Sequence, residues 1–279
     1  RAVGRRLEEG GPEAAADVAV GAKSFEGDRQ FVSALHRGLE VLRCFQPGDD
    51  GLGNLELSQR SGLGPSTVSR ITYTLTRLGY LRYDAATGRY RLGVAVLGLG
   101  YACLAGFRIR ETAQAHMQEM AEAVGGGVLV ALSARDNLRM VYLACARSSE
   151  GVMSLQLDVG SRLSLGRSAA GRAYLAATST EERERLIVEL EARADPAIWP
   201  ATLTGIRDSV RSVHERGFCM SLGNWRAQVN TAGVPLRLAH DDTLYTLTCG
   251  GAAYTLPRLK LEKEVGPRLL DLAARISRH

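Results

Sequence analysis

Short hydroxyl side chains and two arginines crowd one stretch of the sequence, between residues 65 and 77. Hydroxyl and guanidinium groups donate hydrogen bonds to phosphate oxygens and to base edges, and an arginine can contact a guanine with two parallel bonds. The free N–H groups at the start of a helix also favour an anion. This combination fits a nucleic-acid ligand. The candidate DNA contacts in this stretch are Pro65, Ser66, Thr67, Ser69, Arg70, Tyr73 and Arg77.

The pattern around these residues predicts three helices in a row. Apolar residues at helical spacing predict a helix from Ser33 to Phe45 and a shorter one from Leu55 to Arg60, separated by the breaker cluster at 47–51. Pro65 is tolerated in the first turn of the third helix, which Gly79 ends. One stripe of this third helix should face a core. Its members are Val68, Ile71, Leu75 and Leu78.

A β-hairpin follows the third helix. Tyr80 to Tyr83 and Arg89 to Leu92 flank the turn at 84–88 as two strands, which completes a winged helix-turn-helix pattern. Residues 63 to 93 contain five arginines and a single acid, Asp84, so this region is predicted to form a basic patch. Arg82, Arg89 and Arg91 are the candidate phosphate or minor-groove contacts of the wing.

The remainder of the chain is of mixed character. Val94 to Arg110 is apolar and rich in small residues, which predicts a helix that links the domains and pairs with a partner chain. From about residue 111 predicted strands alternate irregularly with predicted helices, so the fold class is α+β. A short leader at 1–27, rich in Gly, Ala and Glu, is expected to be flexible.

Composition sets the outer bounds. With 279 residues, 45% of them hydrophobic, the chain should form about two domains with real cores. A net charge of +5 allows a polyanionic partner. The sequence contains no apolar run long enough to span a membrane and no secretory signal, so we expect a cytoplasmic protein. Five scattered cysteines and five scattered histidines predict neither a disulfide framework nor a metal site, and no cofactor is indicated.

Three segments carry a resemblance to a known family. "SALHRGLEVLRCF", "LELSQRSGLGPSTVSRITYTLTRLGYLRYDAATGRYRLG" and "GRSAAGRAYLAA" resemble the IclR family of bacterial transcription regulators, without a gap over about residues 33–93. The resemblance implies a winged helix-turn-helix joined to a GAF-like effector-binding domain. It also implies dimers, or dimers of dimers, that read palindromic promoter sites under the control of a small organic effector.

The resemblance also implies an effector site in the second half of the chain. Ala169 and Ala170 would offer backbone N–H groups, and Leu155 and Leu163 an apolar wall. Ser221 stands where the family usually has an acid, Thr231 where it often has a cysteine, and Thr248 where a ligand-binding serine often lies. These replacements imply a neutral pocket rich in hydroxyls, suited to a less charged or aromatic compound. A purely packing role for Ser221 and Thr231 is an equal alternative.

The sequence therefore predicts four segments: a leader at 1–27, a winged helix-turn-helix domain at 28–94, a linker and dimerisation helix at 95–110, and an effector-binding domain at 111–279. The expected function is sequence-specific regulation of catabolic or efflux genes, without catalysis. Two alternatives stay open at this point. One is a hydrolase or transferase built around Ser168, in a string that approaches a nucleophile elbow. The other is an architectural DNA-binding protein that reads no sequence.

Overall fold

The computed structural model of the chain describes residues 28–149, 157–239 and 241–278. The predicted leader at 1–27 and the predicted effector contact Leu155 therefore lie outside the described residues. The chain divides into two compact units. The first unit ends at Gly106, and the described part of the second unit begins at Phe107.

The first unit is a helix-turn-helix with a wing. Val41, Cys44, Leu52, Leu57 and Val68 form its buried core. Because Val41, Leu57 and Val68 lie in the first, second and third helices, all three predicted helices contribute to this small apolar cluster. The elements in chain order are α1 (Ser33–Arg43), α2 (Asn54–Ser61), α3 (Pro65–Arg77), β1 (Leu81–Asp84), β2 (Arg89–Leu92) and α4 (Val94–Gly106).

The wing is anchored at its base. β1 and β2 pair antiparallel from Leu81–Leu92 to Asp84–Arg89. Leu52, from the loop before α2, exchanges two backbone hydrogen bonds with Tyr90 and so extends this small sheet. A Cβ on Gly93 would lie 2.0 Å from the carbonyl oxygen of Gly79, so only glycine fits where the two ends of the wing meet.

The apolar stripe predicted for the third helix is shorter than expected. Val68 is buried, and Ile71 and Leu75 pack against the core. The prediction that Leu78 shares this stripe is wrong, because its side chain is 62% exposed. Helix α3 ends at Arg77, and the chain turns at Gly79 with φ +79°, which carries Leu78 away from the core.

The second unit is a six-stranded antiparallel sheet with helices on both faces, which agrees with the α+β prediction. The elements are α5 (Ile109–Val124), β3 (Leu129–Asp136), β4 (Arg139–Arg147), β5 (Arg162–Ser164), α6 (Ala169–Ala177), α7 (Thr180–Glu191), α8 (Trp199–Arg216), β6 (Cys219–Leu222), β7 (Val229–Leu238), β8 (Asp241–Ala252), α9 (Arg258–Lys260), a π-helical turn (Leu261–Val265) and α10 (Gly266–Ser277). The strand order is β5-β4-β3-β8-β7-β6.

Strand alternation divides the second unit into two layers. In β3, Val130 and Leu132 join the core formed with α5 and α10, whereas Leu129 and Ala131 face the opposite side. Helices α6, α7 and α8 cover part of that opposite side through a second apolar cluster. A smaller third cluster, centred on Tyr142 and Leu163, lines the space that they leave open.

The single helix predicted for Val94 to Arg110 is instead two helices. Helix α4 ends at Gly106 and α5 begins at Ile109, with Phe107 and Arg108 between them. Helix α4 buries no residue in its own unit, whereas α5 buries Ile109 in the core of the second unit. The apolar residues from 94 to 110 suggested a single helix. Apolar content does not show which core each helical turn contacts, so it could not predict the break between α4 and α5.

Candidate DNA interface and effector pocket

The predicted recognition helix α3 presents its polar residues outward. Gly64 is extended and Pro65 stands in the first turn, so the helix starts where the sequence places it. Val68 and Thr72 are buried, and Thr67 is half-buried. The remaining predicted contacts share exposure to solvent. They are Pro65, Ser66, Ser69, Arg70, Tyr73 and Arg77.

Asn54, the first residue of α2, touches this surface and was not identified from the sequence. Its Nδ2 donates a hydrogen bond of 2.8 Å to Oγ of Ser69. Because Ser69 accepts this bond, its own proton stays available for a phosphate or a base acceptor. The contact joins residues 15 apart, and no motif in the sequence announces it.

The three wing arginines differ in their surroundings. Arg82 is exposed and makes no side-chain hydrogen bond or ion pair with the residues that the structure describes. Nη1 of Arg89 donates to the carbonyl of Gly51 at 2.7 Å, and its Nη2 lies 3.1 Å from Oε2 of Glu56. Nη2 of Arg91 lies 2.6 Å from Oδ1 of Asp50. Arg89 and Arg91 therefore connect the wing to α2 and to the loop that precedes it.

The tip of the wing is a tight turn held by Asp84. Oδ1 of Asp84 accepts the N–H of Ala86 at 3.0 Å, and the N–H of Gly88 donates to the Asp84 carbonyl at 2.8 Å. Hydrogen bonds from the Thr87 side chain, and then from the Ala86 backbone, lower the pKa of Asp84. The turn therefore retains its carboxylate at neutral pH and presents an ordered loop beside Arg82.

A cavity opens on the second unit beside the N-terminus of α6. About 400 Å³ of its space is free of atoms, including space continuous with solvent. Six of the seven predicted effector contacts line it, and the seventh is Leu155, outside the described residues. The lining residues are Leu129, Tyr142, Leu157, Leu163, Ser168, Ala169, Ala170, Ser221, Trp225, Val229, Thr231, Thr248 and Gly250. None of these carries a charged side chain.

Backbone N–H groups at the start of α6 supply donors to this cavity. Ser168 caps the helix by accepting the N–H of Gly171 at 3.1 Å. The N–H groups of Ala169 and Ala170 have no acceptor among the residues that the structure describes. A Cβ on Gly171 would lie 2.0 Å from the carbonyl oxygen of Leu165. The close packing of Gly171 against Leu165 therefore sets the position of the first turn of α6. Two donors and the positive end of a helix therefore meet at one wall of the cavity.

Hydroxyl groups line the other side. Oγ of Ser221 donates to the carbonyl of Arg167 at 3.1 Å, so this hydroxyl can still accept a bond from a ligand. Tyr142 shares a hydrogen bond with the Thr248 side chain, and burial raises its pKa, so the phenol is neutral. Thr231 lies so close to Gly250 that a Cβ added to Gly250 would be 2.7 Å from Oγ1 of Thr231.

Ser168 has a structural partner on each side. Its Oγ also donates to the carbonyl of Ser164 at 2.7 Å, in addition to capping α6. No acid, base or histidine is recorded as a partner of this hydroxyl in the described parts of the chain. The arrangement offers no support for the hydrolase alternative.

The described residues contain neither a metal-binding cluster nor a helix that could cross a membrane. No group of three or more His, Cys, Asp or Glu side chains is arranged to hold a metal ion. None of the described helices combines the length and apolar character that crossing a bilayer requires.

Two family models match the chain, and together they cover most of it. The model described as the IclR helix-turn-helix domain matches residues 34–85. The model described as the bacterial transcriptional regulator IclR C-terminal matches residues 101–278. Both halves predicted from the sequence are thus assigned to one family.

Individual proteins give the same result. The HTH-type transcriptional regulator TsaQ1/TsaQ2 of Comamonas testosteroni is 29% identical over 249 residues, which cover 88% of each chain. The crystal structure of an IclR family transcriptional regulator from Brucella abortus is 41% identical, with a TM-score of 0.84 over 95% of this chain and 97% of that one. An IclR homologue from Microbacterium hydrocarbonoxydans, complexed with 4-hydroxybenzoate, shares the fold at 21% identity, with a TM-score of 0.68 over 88% and 98%.

These matches confirm the resemblance seen in the sequence, together with the expected N-terminal helix-turn-helix and α+β second half. The chain therefore belongs to the IclR family and is a DNA-binding transcriptional regulator.

Proposed function

We propose that this regulator binds a palindromic promoter site as a homo-oligomer, and that a small organic effector in the cavity beside α6 changes that binding. Within this proposal, residues 28–94 bind DNA, 95–110 connect and pair the subunits, and 111–279 bind the effector. The protein acts in the cytoplasm, where its DNA lies, and it performs no catalysis. The observation that carries the proposal is a cavity whose described lining residues carry no charge and in which two backbone N–H groups lack an acceptor among the described residues, in a protein whose other half is a helix-turn-helix.

Contact with DNA is assigned to α3 and the wing. Arg70, near the helix N-terminus, is placed to read a base or to clamp a phosphate, while Ser66 and Ser69 offer hydroxyls. In a dimer, two such helices enter successive major-groove turns about 34 Å apart. Arg82 at the wing then holds phosphate or the adjacent minor groove.

Helix α4 is assigned to subunit pairing. It buries no side chain within its own unit, and its apolar residues Val94, Leu97, Leu99 and Tyr101 are all exposed. An apolar surface of this kind favours association with an equivalent surface. The twofold relation between two copies would in turn explain a palindromic site.

The effector is assigned to the cavity beside α6. The lining supports a compound with an apolar or aromatic body and one acceptor group for the N–H groups of Ala169 and Ala170. The Microbacterium homologue's ligand, 4-hydroxybenzoate, has this chemistry. Ser221, Thr231 and Thr248 would then bond its polar substituents, and Leu163 would pack against its body.

Selection of DNA and screening of ligands test the proposal together. The full chain is mixed with a pool of randomised duplexes, and the bound sequences should converge on an inverted repeat. Aromatic and aliphatic acids, alcohols and sugars are screened by thermal shift, and each compound that stabilises the protein is added to a DNA titration. We expect a change in DNA affinity of 5- to 150-fold, equal to a coupling of about 1–3 kcal/mol.

Arg70→Ala distinguishes sequence reading from non-specific binding. If Arg70 reads a base, the substitution weakens the selected site by about 1–3 kcal/mol and relaxes one position of the repeat. If it contacts only phosphate, all duplexes weaken alike. Equal binding of every duplex by the unmodified protein, with no effect of any ligand, would show an architectural DNA-binding protein instead.

A further inference from the structure

Among the described residues that line the effector cavity, Trp225 is the large aromatic residue that lies in a loop rather than in a strand or helix. The loop, Gly223–Gln228, connects β6 to β7, and the indole packs against the cluster that contains Leu129, Tyr142 and Leu163. The guanidinium carbon of Arg226 lies 4.5 Å from the centre of the indole ring, as in a cation–π contact. The indole is therefore fixed between a cation and the cavity.

Two arginines at the start of α6 hold this loop in place. Arg167 donates from Nε to the carbonyl of Asn224 at 3.0 Å and from Nη2 to that of Trp225 at 3.4 Å. Nη1 of Arg172 donates to Oδ1 of Asn224 at 3.0 Å, and the same oxygen accepts the N–H of Leu222 at 3.1 Å. The loop is thus bonded to the segment that presents the N–H groups of Ala169 and Ala170.

Arg172 is an unusual residue for such a task. Its side chain is only 2% exposed, and burial lowers its pKa. Within the described residues, no carboxylate lies at ion-pair distance from it, and its recorded partners are the Gly166 carbonyl and Asn224. A buried cation without an acid is costly. Its role in setting the position of the loop accounts for its place here.

We infer that Trp225 is the residue that selects planar aromatic effectors, and that Arg167, Arg172 and Asn224 are positioning residues that hold its indole over the cavity. The inference rests on the proposed function of this cavity. A planar ring can stack on the indole face or meet it edge-on, which contributes about 0.5–1.5 kcal/mol beyond the burial of area. A saturated ring of similar size buries area but lacks this added contribution.

Matched pairs of probes test the selectivity. Benzoate and 4-hydroxybenzoate are compared with cyclohexanecarboxylate and 4-hydroxycyclohexanecarboxylate by isothermal titration calorimetry on the full chain. We expect the planar member of a pair to bind about 2- to 10-fold more tightly. In Trp225→Leu the ratio should fall to about one, whereas Trp225→Phe keeps it. Trp199→Phe, which changes the other tryptophan, is the control and should keep it too.

Tryptophan fluorescence tests the positioning residues without any ligand. Trp199 and Trp225 are the two tryptophans of the chain, so Trp199→Phe leaves Trp225 as the single emitter. On this background, Asn224→Ala or Arg167→Gln should shift the emission to longer wavelength and raise acrylamide quenching about twofold. Gln228→Ala truncates an exposed side chain of the same loop that makes no recorded bond, and it should change neither.

The outcomes separate this inference from the proposed function. An unchanged planar-to-saturated ratio in Trp225→Leu overturns the selectivity, and unchanged quenching in Asn224→Ala overturns the positioning role. A panel in which only aliphatic compounds bind, or none does, also contradicts the inference. In these cases the proposed function stands if another compound still alters DNA binding, and it fails if no ligand does.

Discussion

The arginines predicted to contact DNA fall into two groups at the level of single residues. Arg70, Arg77 and Arg82 are exposed and have no recorded side-chain partner in the described part of the chain, so they are available to phosphate or bases. Arg89 and Arg91 are bonded to the protein itself. The two groups should therefore respond differently to truncation, although all five are arginines of one basic patch.

Arg82→Ala and Arg89→Ala form a matched comparison of these two groups. Arg89→Ala should lower the free energy of unfolding of the first unit by about 1 kcal/mol, chiefly because the Gly51 carbonyl loses its donor. The half-exposed ion pair with Glu56 adds little. Arg82→Ala should change stability by less than about 0.5 kcal/mol and reduce the salt dependence of DNA binding by about one phosphate contact.

Chemical denaturation and DNA titrations at several salt concentrations measure both effects. Equal loss of stability in the two variants would contradict the division. So would an unchanged salt slope in Arg82→Ala.

The five cysteines also differ residue by residue. Burial raises the pKa of Cys44 to about 11, and those of Cys145, Cys219 and Cys249 to about 12. A raised pKa leaves almost no thiolate at pH 8, and the thiolate is the reactive form. Only Cys103, on α4, is exposed.

Titration with a disulfide reagent at pH 8 should therefore modify at most one thiol rapidly in the native protein and all five after unfolding. A native protein with two or more rapidly reacting thiols would contradict the buried positions. Cys103→Ser is the control, and any rapid phase that the unmodified protein shows should be absent from it.

At the level of elements, the effector cavity depends on how closely α6 approaches its neighbours. A Cβ on Gly171 would meet the backbone of Leu165, and one on Gly233 would lie 2.8 Å from the carbonyl oxygen of Ala169. Backbone atoms cannot rotate away as a flexible side chain can. Glycine at these positions in α6 and β7 therefore sets where the N–H groups of Ala169 and Ala170 lie.

Gly171→Ala should destabilise the second unit by about 1–3 kcal/mol, as overpacking does, and should weaken any compound that stabilises the unmodified protein. Gly38→Ala, within α1 and with nothing within 4 Å of the added Cβ, is the matched control. Because alanine favours a helix over glycine, it should leave stability unchanged or raise it by about 1 kcal/mol. Thermal melts with and without the compound measure both, and a harmless Gly171→Ala would count against the close packing.

At the level of the whole molecule, α4 exposes four large apolar side chains, those of Val94, Leu97, Leu99 and Tyr101. Leu97→Glu places a charge on this surface and should shift the oligomer towards the monomer, because burying an unpaired carboxylate at an interface is costly. Leu259→Glu is the control, since Leu259 is equally exposed on the second unit. Light scattering after size-exclusion chromatography gives the mass of each variant.

A dimer of unchanged mass in Leu97→Glu would show that α4 does not pair the subunits. If the mass does fall, the affinity for the palindromic site should fall with it, because a monomer binds one half-site whereas a dimer binds both. Leu259→Glu should keep both the mass and the affinity.

The sequence by itself determined the elements that depend on neighbouring residues. Helical spacing, Pro65 and Gly79 were sufficient for α3, and the arginine-flanked turn at 84–88 was sufficient for the wing, because a helix start, a helix end and a tight turn are local features. The α+β character of the second half followed in the same way. Resemblance then named residues of an effector site, six of which line one cavity.

Only the tertiary structure decided which of those residues act on one another. The ion pair of Arg89 with Glu56 spans 33 positions, and the bond from Arg172 to Asn224 spans 52. Trp225 likewise reaches the cavity through a loop with no signature of its own. Periodicity reports which side of an element is apolar, but it contains no information about the distant segment that packs there. The partners of the wing arginines and the aromatic wall of the cavity therefore emerged only once the chain had folded.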